Sequence, residues 1–323
     1  MSYFFVCLFV ILNAFISISI AKSLKLYDIP NEKKNHKNKI LLFGGMFIFL
    51  NIFFFLIYLI ITTNNNSFST KNFLNILFLN IIIFFLIGLL DDIKNLKANS
   101  KIFIILPILI LNFFFFEDLR VNRISFFSLI YEFNFFTSFL FTIFCIFIFI
   151  NAFNMFDGIN GQSGIYSLFF LTYLLFKGIN ININIFIIII ISSFLIFNLK
   201  NVTFLGNSGN LVVGFLLSAQ SIFSYNTDMI TQEEILILMF LPGIDLTRLF
   251  FTRVFNGNHP MVGDFNHIQH LLIKKFNLFY TNLYLFLIYL SPIVVLVYTK
   301  SEFLSILSGF TVYVSVIYFL KKN

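Results

Sequence analysis

The sequence predicts an all-α polytopic membrane protein, a single integral membrane domain over residues 1–323. Three observations lead there. Hydrophobic residues make up 59% of the chain and charged residues only 11%, less than half of the roughly 25% that soluble domains carry. One water-facing core cannot hide that much apolar surface, so lipid has to be the solvent for much of it. The charges lie in short stretches between apolar runs, and no basic domain exists that would lie along a nucleic-acid backbone. The net charge of +7 therefore points to a membrane surface and not to nucleic acid.

The elements follow in order as eleven apolar runs, at 3–20, 40–62, 72–90, 101–116, 134–152, 163–177, 184–199, 211–225, 233–251, 278–298 and 303–320. A helix satisfies its own backbone in lipid, so each run is expected to be helical. Several are short, and the expectation is ten or eleven crossings. The first run has no basic residue before it, and Lys22 and Lys25 follow it. A secretory signal has the opposite order, so the run is read as an uncleaved helix with its N-terminus outside. That orientation puts 16 of the 21 Lys and Arg residues on the inner side, in keeping with the positive-inside rule. It also puts all four His there. The outer segment 117–133 is long enough for a small hairpin or surface helix. The 52 Phe residues are read as lipid-facing filler. Cys7 and Cys145 fall within apolar runs and are too few for a disulfide framework.

Five polar blocks interrupt the inner side. Asp91 and Asp92 end an apolar helix, with Lys94 and Lys101 beyond. Carboxylates beside hydrocarbon need a partner or a cation, and paired carboxylates suit Mg²⁺, which keeps waters and substrate phosphates as its other ligands. In isolation the pair reads better as a solvated helix end. Asn151 and Asn154 share a helix face, with Asp157 one turn further and Gly158, Gly161 and Gly164 after it. Amides, a carboxylate and open backbone N–H groups suit a phosphate or a metal; a plain turn explains the glycines but not the two Asn. The stretch Gly206-Asn207-Ser208-Gly209-Asn210 precedes another helix, which suits an anion as well as ordinary capping. Arg253, Gly257, His259, Pro260, Asp264, His267 and His270 form a fourth inner loop, after Asp245 and Arg248 on the preceding helix. A conventional zinc set is missing, so contacts to a nucleotide phosphate or sugar are expected from these His. Asp28, Pro30, Lys33, Lys34 and His36, with Gly44 and Gly45 after them, read equally as a topology determinant.

Taken together and in this order, the five blocks resemble the polyprenyl-phosphate N-acetylhexosamine-1-phosphate transferases, glycosyltransferase family 4. The resemblance runs from Asp28 to His270. The family's Asp-Asp pattern matches Asp91 and Asp92, its Asn-x-x-Asn-x-x-Asp-Gly pattern matches Asn151, Asn154, Asp157 and Gly158, and its Asp-x-x-His-x-x-His pattern matches Asp264, His267 and His270. The last loop looks like that of the GlcNAc-1-phosphate branch and lacks the His-rich form of the phospho-MurNAc-pentapeptide enzymes, the second choice within the family. Three positions depart from the pattern. Asn95 and Asn160 replace frequent Asp residues, and Asn207 replaces an Asp implicated in binding Mg²⁺.

The resemblance implies transfer of a HexNAc 1-phosphate from a UDP-sugar to polyprenyl (undecaprenyl) phosphate, with release of UMP. It implies catalytic roles for Asp91, Asp92 and Asp157. Substrate contacts fall to Lys101, Asn151, Asn154, Gly158, Arg253, His259, Asp264, His267, His270 and His36. Mg²⁺, with Mn²⁺ as the alternative, falls to Asp92, Asn154 and Asn207. The location implied is the cytoplasmic membrane of a bacterium, with the catalytic loops on the cytoplasmic face, and a homodimer is compatible with it. Two rivals stand beside this reading. A catalytically impaired relative is raised by Asn207. A secondary transporter is disfavoured, because transporters place ionisable groups near the midplane and the inner acids here gather at one face.

Overall fold

The computed structural model describes residues 3–30, 38–62, 68–126, 129–257 and 265–322. Every one of the eleven apolar runs is helical. They form α1 (Tyr3–Ser23), α2 (Gly44–Thr62), α3 (Phe68–Lys94), α4 (Ala98–Phe115), α5 (Phe135–Phe156), α6 (Gln162–Phe176), α7 (Ile181–Leu199), α8 (Gly206–Asn226), the pair α9 (Gln232–Leu238) and α10 (Phe240–Phe255), then α12 (Leu278–Thr299) and α13 (Glu302–Lys322). A short α11 (Ile268–Ile273) stands between α10 and α12. The outer segment holds a 3₁₀ turn at Glu117–Leu119 and the antiparallel hairpin β3 (Arg123–Phe126) and β4 (Leu129–Glu132). A second small ribbon, β1 (Tyr27–Asp28) with β2 (Ile40–Leu41), was not expected.

The ninth run is not one helix. α9 and α10 meet at a bend of 72°, where Pro242, three residues into α10, removes a backbone donor at little cost because the first turn of a helix has no acceptor for it. Pro107 and Pro292, by contrast, lie inside α4 and α12 without ending them. Among the described residues six helices have the length and apolarity of a membrane span, or seven if the bent pair is one span; α1, α4 and α6 have shorter apolar segments. α8 falls below that apolarity for a different reason. It is buried almost from end to end, packed by α2, α3, α5 and α6. Its Asn210, Ser218, Gln220, Ser221 and Ser224 face protein instead of lipid. Small and polar residues at helix contacts let backbones approach closely within a membrane.

The many Asn residues have structural duties. Asn134 and Asn277 cap α5 and α12 by accepting from Thr137 N–H at 2.9 Å and Tyr280 N–H at 3.0 Å. Asn13 donates to Asn51 at 3.0 Å, joining α1 to α2, and Asn80 donates to Asn112 at 3.0 Å, joining α3 to α4. Such interhelical bonds are worth about 0.6–2 kcal/mol each in lipid. Phe is not only filler. Phe47, Phe84, Phe153, Phe170 and Phe215 are fully enclosed, whereas Phe15, Phe103 and Phe176 face outward. The enclosed rings fill the volume between helices, with Phe84 stacked on Phe215 at 4.8 Å.

The two ends of the bundle differ. Arg123 pairs with Asp228, Lys177 with Glu234 at 2.7 Å, and Thr231 donates to Glu302 at 2.6 Å; these contacts tie together the connections assigned to the outside. The segments following α1, α3, α5, α7 and α10 gather at the opposite end.

Candidate active site

At that end lies a cavity of about 1040 Å³, at the upper edge of the ~300–1,000 Å³ usual for small-molecule sites. All five polar blocks reach it: Asp28 and Pro30; Asp92 and Asn95; Asn154, Asp157, Gly158 and Asn160; Asn207 and Asn210; and His270 beside Phe265. Residues far apart in the chain meet here because each ends or begins a helix at the same end of the bundle.

Thr203 sets the floor. Its hydroxyl donates to Leu41 O at 2.7 Å and accepts from Phe43 and Gly44 N–H at 3.0 Å each, so it caps α2 from another part of the chain. Asn198 accepts from Gly161 N–H at 2.6 Å and donates to Thr203 O at 3.0 Å. Asn160 donates to Asn201 at 2.6 Å and accepts from Asn282 at 2.9 Å. Gly161, at φ 86°, begins α6 in the left-handed region, where a side chain would be strained.

The adjacent Asp91 and Asp92 serve opposite sides of α3. Asp91 is buried against α4, where Lys101 pairs with it and Leu96 N–H donates at 2.9 Å. Neither Asp91 nor Lys101 lines the cavity. Asp92 does, and it receives four donors from the start of α8: Asn207 N–H at 2.8 Å, Asn207 Nδ2 at 3.1 Å, Ser208 N–H at 3.0 Å and Ser208 Oγ at 2.7 Å. A carboxylate at a helix N-terminus satisfies orphan N–H groups and complements the dipole. Gly88 permits this approach, since a Cβ there would lie 2.4 Å from Ser208 Cα.

Asp157 ends α5. Asn210 Nδ2, one helical turn beyond Asn207, donates to its Oδ2 at 2.8 Å. Burial pushes the Asp157 carboxyl above the usual range, and hydrogen bonds from Ser163 and Asn210 draw it partly back. Asn210 Oδ1 is a buried acceptor with no hydrogen-bond partner. Asn151 turns back on its own helix, donating to Phe147 O at 2.7 Å, and does not line the cavity.

α11 closes one side. Gln269 Nε2 lies 3.3 Å from Met155 O and 3.4 Å from Phe156 O, at the end of α5. Gly158 makes room for it: a Cβ there would come within 2.8 Å of Gln269 Nε2 and 3.0 Å of His270 Nε2. His267 and His270, expected to act together, divide their work. His270 lines the cavity. His267 is buried, with Nδ1 2.8 Å from Asp245 Oδ2. Asp245 also accepts from Tyr313 OH at 2.7 Å and Arg248 at 2.8 Å, and Arg248 donates to Asn266 O at 2.6 Å. This buried network anchors α11 to α10 and α13. Arg253 is buried at the end of α10, away from the cavity lining. His36, His259 and Asp264 lie outside the described residues.

Among the described residues no cluster of three or more His, Cys, Asp or Glu side chains could hold a metal. Three carboxylates line the cavity, Asp28, Asp92 and Asp157; of these, Asp157 has the unpartnered Asn210 oxygen beside it, and the Asn154 amide lines the same cavity. Mg²⁺ needs only one or two carboxylates when phosphates and waters complete its shell. Asp92 fits less well, because its lone pairs are already engaged.

Sequence reasoning gave no role to Asn198, Asn201 or Gln269, and took Asn210 only as part of an anion-binding or capping stretch. In a chain so rich in Asn, a functional amide carries no compositional signal.

Six or seven helices of membrane length among the described residues, with a polar cavity at one end of the bundle, define a polytopic membrane protein. Residues 73–225 match the sequence profile of glycosyl transferase family 4, which supports that superfamily for this chain. The match runs from α3 to α8 and takes in Asp91, Asp92, Asn151 to Gly158 and Asn207. No match was found among curated proteins. That match supports a polyprenyl-phosphate sugar-phosphate transferase in general.

Proposed function

We propose that the protein transfers a HexNAc 1-phosphate from a UDP-HexNAc donor to polyprenyl phosphate, releasing UMP and starting a lipid-linked glycan. The observation that carries this reading is the convergence of all five blocks on one cavity large enough for a nucleotide sugar. In the reaction an oxygen of the lipid phosphate attacks the sugar-bearing phosphorus of the donor. The bond from that phosphorus to the bridging oxygen breaks, UMP leaves with the electron pair, and a pyrophosphate links lipid to sugar. A phosphate monoester is already largely ionised at neutral pH, with a second pKa of about 6. The chain's main task is therefore to hold two anions together and to bear the developing charge.

Asp157 would align the lipid phosphate or accept its remaining proton. Asn154, Gly158 and His270 line the donor's space. Asp92 fixes the start of α8 by occupying its first N–H groups. Asp91 pairs with Lys101 behind the cavity wall. We propose Mg²⁺ or Mn²⁺ as the cofactor, held by Asp157, Asn154 and Asn210; when bound it would neutralise pyrophosphate and leaving-group charge. The acceptor tail would lie in the membrane beside the cavity, and the cytoplasmic membrane of a bacterium suits both substrates.

The test is UMP release by purified protein in detergent, with undecaprenyl phosphate, Mg²⁺ and a panel of UDP-HexNAc donors. Release is expected only when donor, lipid phosphate and cation are all present. Folded protein that releases no UMP with any donor would refute the proposal and favour the impaired relative that Asn207 suggests.

A further inference from the structure

Asp92 lies in the cavity but is engaged unlike a metal ligand. A carboxylate offers about four lone-pair sites, and four donors occupy them, all from Asn207 and Ser208. The orientation of the Asn207 amide follows from chemistry. Its oxygen turned towards Asp92 would set two acceptors face to face, so the nitrogen must point there. Gly206, at φ 71°, brings the backbone so close that a Cβ would lie 2.9 Å from Asp92 Oδ2. The contact joins α3 to α8, the central helix, with one negative charge and no cation.

We propose that Asn207 stands in for a cation: its amide supplies the donor that a second carboxylate at this position would need a divalent ion to supply. Asp92 and Asn207 thus form a metal-free latch, and the cation of the reaction is recruited on the Asp157–Asn210 side. Only that last clause rests on the transferase reading.

The test is Asn207→Asp in the full-length protein, followed by thermal unfolding in detergent with EDTA and through a Mg²⁺ titration. The variant sets two carboxylates within hydrogen-bond distance, where like charges disfavour each other. It is expected to melt on the order of 5 °C below the wild type in EDTA and to regain that loss with Mg²⁺. The Mg²⁺-dependent gain should persist in Asn207→Asp combined with Asp157→Asn and vanish in Asp157→Asn alone. An Asn207→Asp variant as stable as the wild type in EDTA would overturn the latch, as would a Mg²⁺ gain that survives in Asp157→Asn alone. If Asn207→Asp does not fold, Mn²⁺ binding followed by electron paramagnetic resonance decides. Wild-type stoichiometry in Asn207→Ala supports the latch, and its loss overturns it. Neither measurement uses turnover, so absence of UMP release would count against the proposed reaction and not against the latch.

Discussion

Asp245→Asn tests whether the buried network behind α11 holds the cavity together. Asp245 is almost fully enclosed. One oxygen accepts from Tyr313 OH at 2.7 Å and Arg248 at 2.8 Å; the other faces His267 Nδ1 at 2.8 Å and Ile268 N–H at 3.3 Å. An amide of the same shape must turn its NH₂ group towards one of these two sets, and Arg248 loses its counter-charge whichever way it turns. Breaking a buried ion pair on one side costs about 3–5 kcal/mol. Arg248 retains some exposure and its bond to Asn266 O, so the lower figure, about 3 kcal/mol, is expected. For a chain of 323 residues that corresponds to a fall in Tm of roughly 4–5 °C, read by far-UV circular dichroism because the chain has no Trp. UMP release should fall as well, since His270 is carried by the released helix. A variant that melts with the wild type would refute the anchoring role.

Two further predictions follow from the same wall of the cavity. Gly158→Ala places a methyl group 2.8 Å from Gln269 Nε2, which forces α11 outward; a loss of about 1–3 kcal/mol and weakened donor binding, seen as a raised KM for the UDP-sugar, are expected, and unchanged KM and Tm would show that α11 does not press on this turn. For Asp157, burial holds the folded-state pKa above the unfolded value, so its contribution to stability is present below the ordinary carboxylate pKa of about 3.9 and is lost as pH rises through the raised folded value. In EDTA, the Tm difference between wild type and Asp157→Asn should therefore shift against the wild type as pH rises through that window; a difference that does not change with pH would refute the burial of a protonated Asp157.

Much of the fold was legible from the sequence, because lipid imposes one rule on every span: an apolar run must satisfy its own backbone, and only a helix does so within a single segment. That rule located all eleven helical runs. It did not decide the bend between α9 and α10: Pro107 and Pro242 were both able to break a helix, yet only the run holding Pro242 turns, while α4 continues through Pro107. Nor could it tell lipid-facing Phe103 from enclosed Phe84, since both are equally apolar and only the neighbouring helix distinguishes them. Within the site, Asp92, Asn154, Asp157, Gly158, Asn207 and His270 were all singled out and all line one cavity. Asn151, Lys101, Asp91, Arg253 and His267 were singled out on the same grounds and stand behind it.

The sequence by itself determined that the protein lives in lipid, which end of each run carries chemistry, and which residue types gather there, because composition and charge order are properties of the chain alone. Only the tertiary structure decided how those residues are used. Asp91 and Asp92 are neighbours in sequence, yet successive side chains on a helix point about 100° apart. One of them meets Lys101 on α4 and the other meets the first turn of α8. His267 and His270 lie three apart, and one faces Asp245 while the other faces the cavity. Spacing brings side chains to a common face, but the partner packed against that face assigns their roles, and that partner lies up to 116 residues away in the chain.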